Sequence, residues 1–297
     1  MTRVSSIARH RLLATELRRL RVEAGLSGPS VAKALMWSAA KFSRIESALV
    51  RPSRADMLVL LDHYGVTEPA RAELLLLANQ ATQRNWWDAH AKALPSAYLE
   101  YIGLEFEAVS VVNWESSVLP GLLQIDELVG AINSAGEDFF AVPPGAVRLR
   151  NQVRLTRQKL LTDPDPLAFT AVIDEVVLHR TVSMLMDVGG PQLVRKQFAH
   201  LIELAELENV TIHVIDLWKA YPLVATSSLI RLSFAPVSAG LVHPDVAYVE
   251  SVTGGSLSFG EEEVYQFDRL LKYLTKKSLN PQESIRLIHR IADAVEG

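Results

Sequence analysis

Ser27-Gly28-Pro29-Ser30-Val31-Ala32-Lys33-Ala34-Leu35-Met36-Trp37-Ser38-Ala39-Ala40-Lys41-Phe42-Ser43-Arg44-Ile45-Glu46 is the stretch on which the reading of this 297-residue chain turns. Ser27 opens a helix as N-cap, because its hydroxyl satisfies a first-turn N–H that has no partner within the helix. Pro29 is tolerated in that first turn. Val31, Ala32 and Leu35 fall on one side and read as inward-facing. Met36-Trp37-Ser38 breaks the run, and Ser38 caps a further helix over about 39–47, with Phe42 and Ile45 pointing inward. Two short helices, a three-residue turn and a cap at the opening of the second form the spacing of a helix-turn-helix.

Working outward, the punctuation continues. Leu13, Leu17 and Leu20 stand at helical spacing in a first helix over about 12–24, and Gly25 supplies its left-handed stop. Ser53-Arg54-Ala55-Asp56 is a capping box, with Asp in the reciprocating position, for a fourth helix ending at Tyr64-Gly65. Thr67 and Pro69 open a fifth helix that runs through Leu74–Leu77 to about Ala81. The expectation is a five-helix helix-turn-helix domain over residues 1–84.

A recognition helix needs small or polar residues in its first turn, so that the backbone can approach a duplex, and hydroxyls and cations around it. Ser38, Ala39, Ala40 and Lys41 form that turn, and Ser43 and Arg44 follow on the outward face. Ala39 and Ala40 are able to touch thymine methyls but not to hydrogen-bond base edges, whereas Lys41 and Arg44 reach guanine or phosphate. Arg51 and Arg54 come next, where a loop and a helix N-terminus clamp backbone phosphates. These residues, together with Ser27, are the candidate contacts to double-stranded DNA. Glu46 reads as structural, pairing with a helix-one arginine such as Arg18.

Charge points the same way. The whole chain carries −4, which alone argues against a nucleic acid, but residues 1–84 hold thirteen Lys/Arg against seven Asp/Glu and the rest seventeen against twenty-seven. That asymmetry separates a polyanion-binding end from a solvating one.

From Asn85 the character changes. Residues 85–110 read as a helical linker, opened by Trp86-Trp87, and residues 111–297 as a mixed α/β domain with a central sheet, so the overall class is α+β. Strands are predicted at 168–173, 210–215, 228–234, 246–251 and 256–259, each β-branched or aromatic and bounded by turn formers. Helices are predicted to about 135 and over 147–161, 191–207, 261–277 and 281–295.

Other chemistry finds little support. Hydrophobic residues make up 49% and cysteine is absent, so disulfides and thiolate metal sites are excluded. Neither a secretory leader nor a membrane-length apolar run stands out, and a cytoplasmic protein is expected. The eight histidines form no paired-ligand spacing, and no Gly-rich phosphate loop or nucleophile elbow appears. No metal, no cofactor and no enzyme activity are expected. Asp174-Glu175 reads as a helix cap rather than an acid–base pair. Trp114, His179, Arg180, Trp218 and Tyr221 are candidates for an effector or partner pocket, set against core packing for the aromatics and a solvated helix end for His179-Arg180.

Leu17-Arg18-Arg19-Leu20-Arg21, Ala24-Gly25-Leu26-Ser27, Ser43-Arg44-Ile45-Glu46 and Arg51-Pro52-Ser53 resemble the xenobiotic-response-element class of helix-turn-helix regulators. Asn85-Trp86-Trp87, Glu100-Tyr101-Ile102-Gly103-Leu104-Glu105, Val118-Leu119-Pro120-Gly121-Leu122-Leu123-Gln124, Asp174-Glu175-Val176-Val177-Leu178 and Tyr248-Val249-Glu250 resemble one actinobacterial subfamily of it. That subfamily is described as antitoxin-like and has a large C-terminal domain of unassigned function. The resemblance implies a regulator encoded beside a small protein partner that modulates it. The chain departs from the family at Gly28 and Ala39, where glutamine is usual, and at Leu49 and Val50, which are commonly basic. It departs again at Met36 and Ala48, where glycine is usual because the chain turns left-handed, at a cost of about 1 kcal/mol for other residues. The expectation is a homodimeric transcription regulator controlled through its C-terminal domain. The alternative is an antitoxin-like interaction module whose DNA binding is secondary.

Overall fold

The computed structural model describes residues 3–91, 94–132, 144–219, 227–238, 240–250 and 255–295. They divide into two compact units: Thr2–Asp88 with Phe234–Pro244, and Ala89–Ser233 with Asp245–Gly297.

The first unit holds the five helices: α1 Ser6–Glu23, α2 Gly28–Ala34, α3 Ala39–Glu46, α4 Arg54–His63 and α5 Ala70–Gln80. Their ends follow the caps. Ser27 and Ser30 reciprocate across the start of α2, Ser53 and Asp56 across the start of α4, and Ser38 accepts from the Lys41 N–H. Gly25 and Gly65 take left-handed φ of 69° and 68° and stop α1 and α4. The first helix begins six residues earlier than position 12, capped by Ser5, and Asn85 holds that end by accepting from the Ser6 N–H and donating to the Val4 carbonyl. Leu12, Leu13, Leu17, Val31, Phe42, Ile45, Met57, Leu60, Leu61, Leu74 and Leu77 form the core.

A segment from far along the chain completes that core. Strands β5 Pro236–Ser238 and β6 Leu241–Val242 pair as an antiparallel hairpin. Leu241 is buried among the helix leucines with Val237 packed beside it, and the Ser238 hydroxyl donates to the Glu73 carboxylate at 3.1 Å. The first unit therefore exceeds residues 1–84.

The second unit is built on a six-stranded sheet in the order β3-β2-β1-β4-β7-β8. Its strands are β1 Ser110–Glu115, β2 Ala168–Asp174, β3 Val210–Ile215, β4 Leu229–Ser233, β7 Val246–Val249 and β8 Ser256–Ser258. The first three are mutually parallel, with Ser110 beside Ala168 and Phe169 beside Val210. The remaining pairings are antiparallel. Helix α6 Ser96–Glu107 precedes β1. A helical segment α7 at 126–132 and α8 Pro144–Gln158 lie between β1 and β2. Helices α9 Glu175–Gly189 and α10 Pro191–Ala205 lie between β2 and β3, and α11 Glu261–Lys277 and α12 Pro281–Asp293 end the chain. Helix α11 covers one face, setting Val264, Leu271 and Leu274 on Trp114, Val172, Ile215, Leu229 and Ala247.

Within the stretch read as a helical linker, α6 buries Tyr101, Ile102, Leu104 and Glu105 in the second unit. Its main tie is a buried polar cluster. Arg157 of α8 donates to both Glu105 oxygens at 2.6 and 2.7 Å, to the Tyr98 hydroxyl at 2.6 Å and to the Tyr101 hydroxyl at 3.0 Å. Burial opposes that charge, but the Glu105 carboxylate overrides it and keeps Arg157 cationic, while burial pushes the Tyr101 hydroxyl well up. Among the described residues no helix is long and apolar enough to cross a membrane.

Candidate nucleic-acid interface

The turn between α2 and α3 is set by backbone geometry. Leu35 closes α2, Met36 stands at φ 54°, and the Trp37 N–H returns to the Ala32 carbonyl at 2.8 Å. Ser38 then redirects the chain into α3, whose first turn leaves Ser38, Ala39 and Ala40 exposed. Phe42 and Ile45 are buried, so Ser43 and Arg44 are left on the open side. Ser27 is likewise exposed at the start of α2. After α3, Ala48 adopts φ 53°, and exposed Arg51 and Arg54 follow. Met36 and Ala48 thus occupy the left-handed backbone that favours glycine.

Two side chains depart from the expectation. Lys41 is not a free cation: its Nζ lies 2.5 Å from Asp56 Oδ1 and 4.0 Å from the centre of the Trp37 ring. It ties α3 to the capping box of α4. Burial would raise the Asp56 carboxyl, but hydrogen bonds from Lys41 and Ser53 hold it below the ordinary range. Glu46 pairs with Arg21 at 2.7 Å rather than with Arg18, and Arg21 also donates to the Leu26 carbonyl at 2.8 Å. Arg21 lies one turn further along α1, opposite the end of α3.

The effect is to sort the cations. Arg19, Arg21, Lys41 and Arg71 are each neutralised by a carboxylate. Arg18, Lys33, Arg44, Arg51 and Arg54 are exposed and form no ion pair among the described residues; Arg44 only donates from Nε to the Ala40 carbonyl at 3.2 Å. Unneutralised charge is therefore concentrated around α3. Beside it lies a depression of about 260 Å3, lined by Gly28, Pro29, Ala39 and the buried Phe42 together with Arg18, Ser43 and Glu46. Sequence reasoning missed it, because it depends on a side chain that Gly28 lacks: a Cβ there would stand 3.2 Å from the Phe42 ring.

In the second unit the pocket candidates fall into different environments. Trp114 is wholly buried in the core under α11, so it lines no surface pocket. His179 lies exposed on α9 with a ring nitrogen 3.4 Å from Glu175 Oε1, and Arg180 donates to the Ser116 carbonyl at 3.1 Å. Trp218 is 90% exposed just after β3. Tyr221 lies outside the described residues. Asp174 caps α9, accepting from the Val176 N–H at 2.9 Å, and Glu175 accepts from the Leu217 N–H at 2.8 Å. That carboxylate pair is structural, as its position after a strand implied.

A group missed in sequence is Glu115 at the carboxyl end of β1. It is buried, bonded by the Ser228 hydroxyl and by the Asn113 side-chain amide at 3.1 Å. Burial pushes its carboxyl up to about 7, against those two bonds. Asn113 and Glu115 stand two apart, a polar pair on one face of an otherwise apolar strand, which was the available signal.

Comparison with known families gives two matches. A family described as "Helix-turn-helix domain" matches residues 12–74, and "Domain of unknown function (DUF5753)" matches residues 98–290. Comparison with curated proteins and with solved structures returns no match.

Proposed function

The chain belongs to the family of the domain of unknown function (DUF5753), with a helix-turn-helix domain ahead of it, and from that premise we propose a sequence-specific transcription regulator of the xenobiotic-response-element class. The observation that carries this reading is α3 itself: a serine-capped helix with a small first turn, outward Ser43 and Arg44, and four further cations around it without carboxylate partners among the described residues. A backbone-hugging first turn and uncompensated positive charge are what a major groove and its flanking phosphates require. We assign base contact to Ala39, Ala40 and Arg44, and phosphate contact to Ser27, Ser38, Arg51 and Arg54. Lys41 acts by fixing α3 against α4. We read the protein as a cytoplasmic homodimer on a pseudo-palindromic site, since one small module alone buries limited surface, and as a regulator without catalytic activity.

Control by the C-terminal domain has a route in the chain. Residues 234–244 leave β4, join the core of the helix-turn-helix unit, and return to β7, the neighbour of β4 in the sheet. A change in the pairing of β4 and β7 would pull on the anchored hairpin. The resemblance to antitoxin-like actinobacterial regulators makes a small, separately encoded protein the favoured effector. A second reading, a partner-binding module with weak DNA binding, is favoured by exposed Met36 and Leu49 at 93% and 69% and by the engaged Lys41.

The test is binding of the full-length chain to duplexes recovered from random-sequence selection. Affinity should fall steeply with salt. Arg44→Ala should cost about 1–3 kcal/mol and relax specificity at one base pair, while Arg54→Ala weakens all sequences evenly and lowers the salt slope by about 1. Unchanged affinity and footprint in both variants would overturn this placement of the recognition helix.

A further inference from the structure

The depression beside α3 has a chemistry of its own. Its apolar lining is Gly28, Pro29, Ala39 and the ring of Phe42. Gly28 offers no side chain, Pro29 no N–H, and Ala39 only a methyl group. The carboxylate of the lining, Glu46, is held by Arg21 at 2.7 Å, so it neither repels a base edge nor remains free to accept from one. The remaining side-chain hydroxyl, Ser43, belongs to the lining as well. The side chains that a base edge meets at Ala39 thus offer it carbon, the backbone N–H groups of the first turn being left for phosphate. In the major groove one natural base edge presents carbon in return, the 5-methyl group of thymine. The occupant belongs to a polyanion rather than to a free apolar molecule, because the surrounding cations, Arg18 of the lining among them, form no ion pair among the described residues.

We propose that this depression reads a thymine methyl: in the bound duplex the base pair facing Ala39 is T·A, and its 5-methyl group seats between Ala39 and the Gly28-Pro29 wall, over Phe42. The assignment rests on the DNA-binding reading above and supplies its specificity at one position. Discrimination here comes from one buried carbon, so it is shallow but insensitive to salt, unlike the phosphate contacts.

The experiment uses the full-length chain and the best duplex recovered by random-sequence selection, with each thymine replaced singly by deoxyuridine. One position should lose about three- to five-fold in affinity, the equivalent of one buried methyl group. At that position, cytosine and 5-methylcytosine opposite guanine should differ by the same factor. In Ala39→Gln, whose amide takes the place of the apolar wall, the uridine penalty should vanish. Equal binding of thymine and uridine at every position overturns the inference and leaves the DNA-binding reading standing, and so does a uridine penalty that survives in Ala39→Gln. If selection at low salt recovers no duplex, the DNA-binding reading itself fails, and the inference with it.

Discussion

The two units differ in the polar partners that matter most to them, although each has both local caps and distant pairs. In the helix-turn-helix unit the caps act within three residues: Ser27 with Ser30, Ser38 with the Lys41 N–H, Ser53 with Asp56. In the sheet unit the decisive partners are distant in sequence, as in Arg157 with Glu105, Ser228 with Glu115, and Ser284 with the Val214 N–H. Local partners end helices and spare most of that core, where leucines dominate. Distant partners hold a polar group inside the core, where removing one strands the other in a medium that solvates it poorly. The first unit should therefore tolerate loss of a polar side chain far better than the second.

The largest expected effect sits on that difference. Arg157→Ala leaves Glu105 buried without its cation and should cost the sheet unit about 3–5 kcal/mol. Leu241→Ala is the counterpart in the first unit, opening a cavity where the hairpin enters the helical core, at about 2–5 kcal/mol. Urea unfolding followed by residue-resolved NMR distinguishes the two. Arg157→Ala should lower the midpoint for α6 and α8 while α1–α4 hold, and Leu241→Ala should do the reverse. If both variants lower all midpoints together, the units unfold as one body and the contrast is lost.

A middle-sized effect separates the units by pH. Burial lowers His243, in the hairpin, to about 4, and its buried Nε2 has no hydrogen-bond partner among the described residues; burial lowers His10 of α1 to about 4 as well. Unfolded, both titrate near 6.5, so the unfolded chain takes up protons first and the first unit loses stability as pH falls from about 6.5 towards 4. Glu115 has the opposite sign. Its folded value of about 7 lies above the ordinary 4.5, so the stability present below 4.5 is lost as pH rises through 7. His243 and Glu115, both buried, each account for about 3 kcal/mol. Glu115→Gln should flatten the upper limb and His243→Gln part of the lower one, read by the same unfolding experiment at pH 4.5, 6 and 8. A sheet unit that gains stability between pH 5 and 8 would show that Glu115 is ionised.

The same contrast explains what was legible beforehand. Residues 27–65 announce their helices because each cap and stop acts on its own neighbourhood, and strands such as Val210–Ile215 declare themselves by β-branched content. Strand β1 did not, since Asn113 and Glu115 interrupt its apolar run and are satisfied only by folding. The hairpin at 234–244 reads as an ordinary connection; its place in the first core is a tertiary fact with no local mark. Around α3 the residue types were legible but their engagements were not. Lys41 finds Asp56 fifteen positions on, and Glu46 selects Arg21 over Arg18 because of where α1 crosses α3.

The smallest expected effect tests whether backbone strain near α3 has a purpose. Met36 holds φ 54° with its side chain 93% exposed, so a left-handed residue is kept where packing gives little in return. The strain costs about 1–2 kcal/mol, and glycine removes it while adding about 0.4–1 kcal/mol of unfolded-chain entropy. Met36→Gly should therefore stabilise the first unit by about 0.5–1 kcal/mol, seen as a higher urea midpoint for α2 and α3. If the midpoint rises and duplex affinity is unchanged, the strain is incidental. If it rises while capture of a small protein partner is lost, the exposed methionine is retained for that contact, and the side of the turn that faces solvent here belongs to a partner.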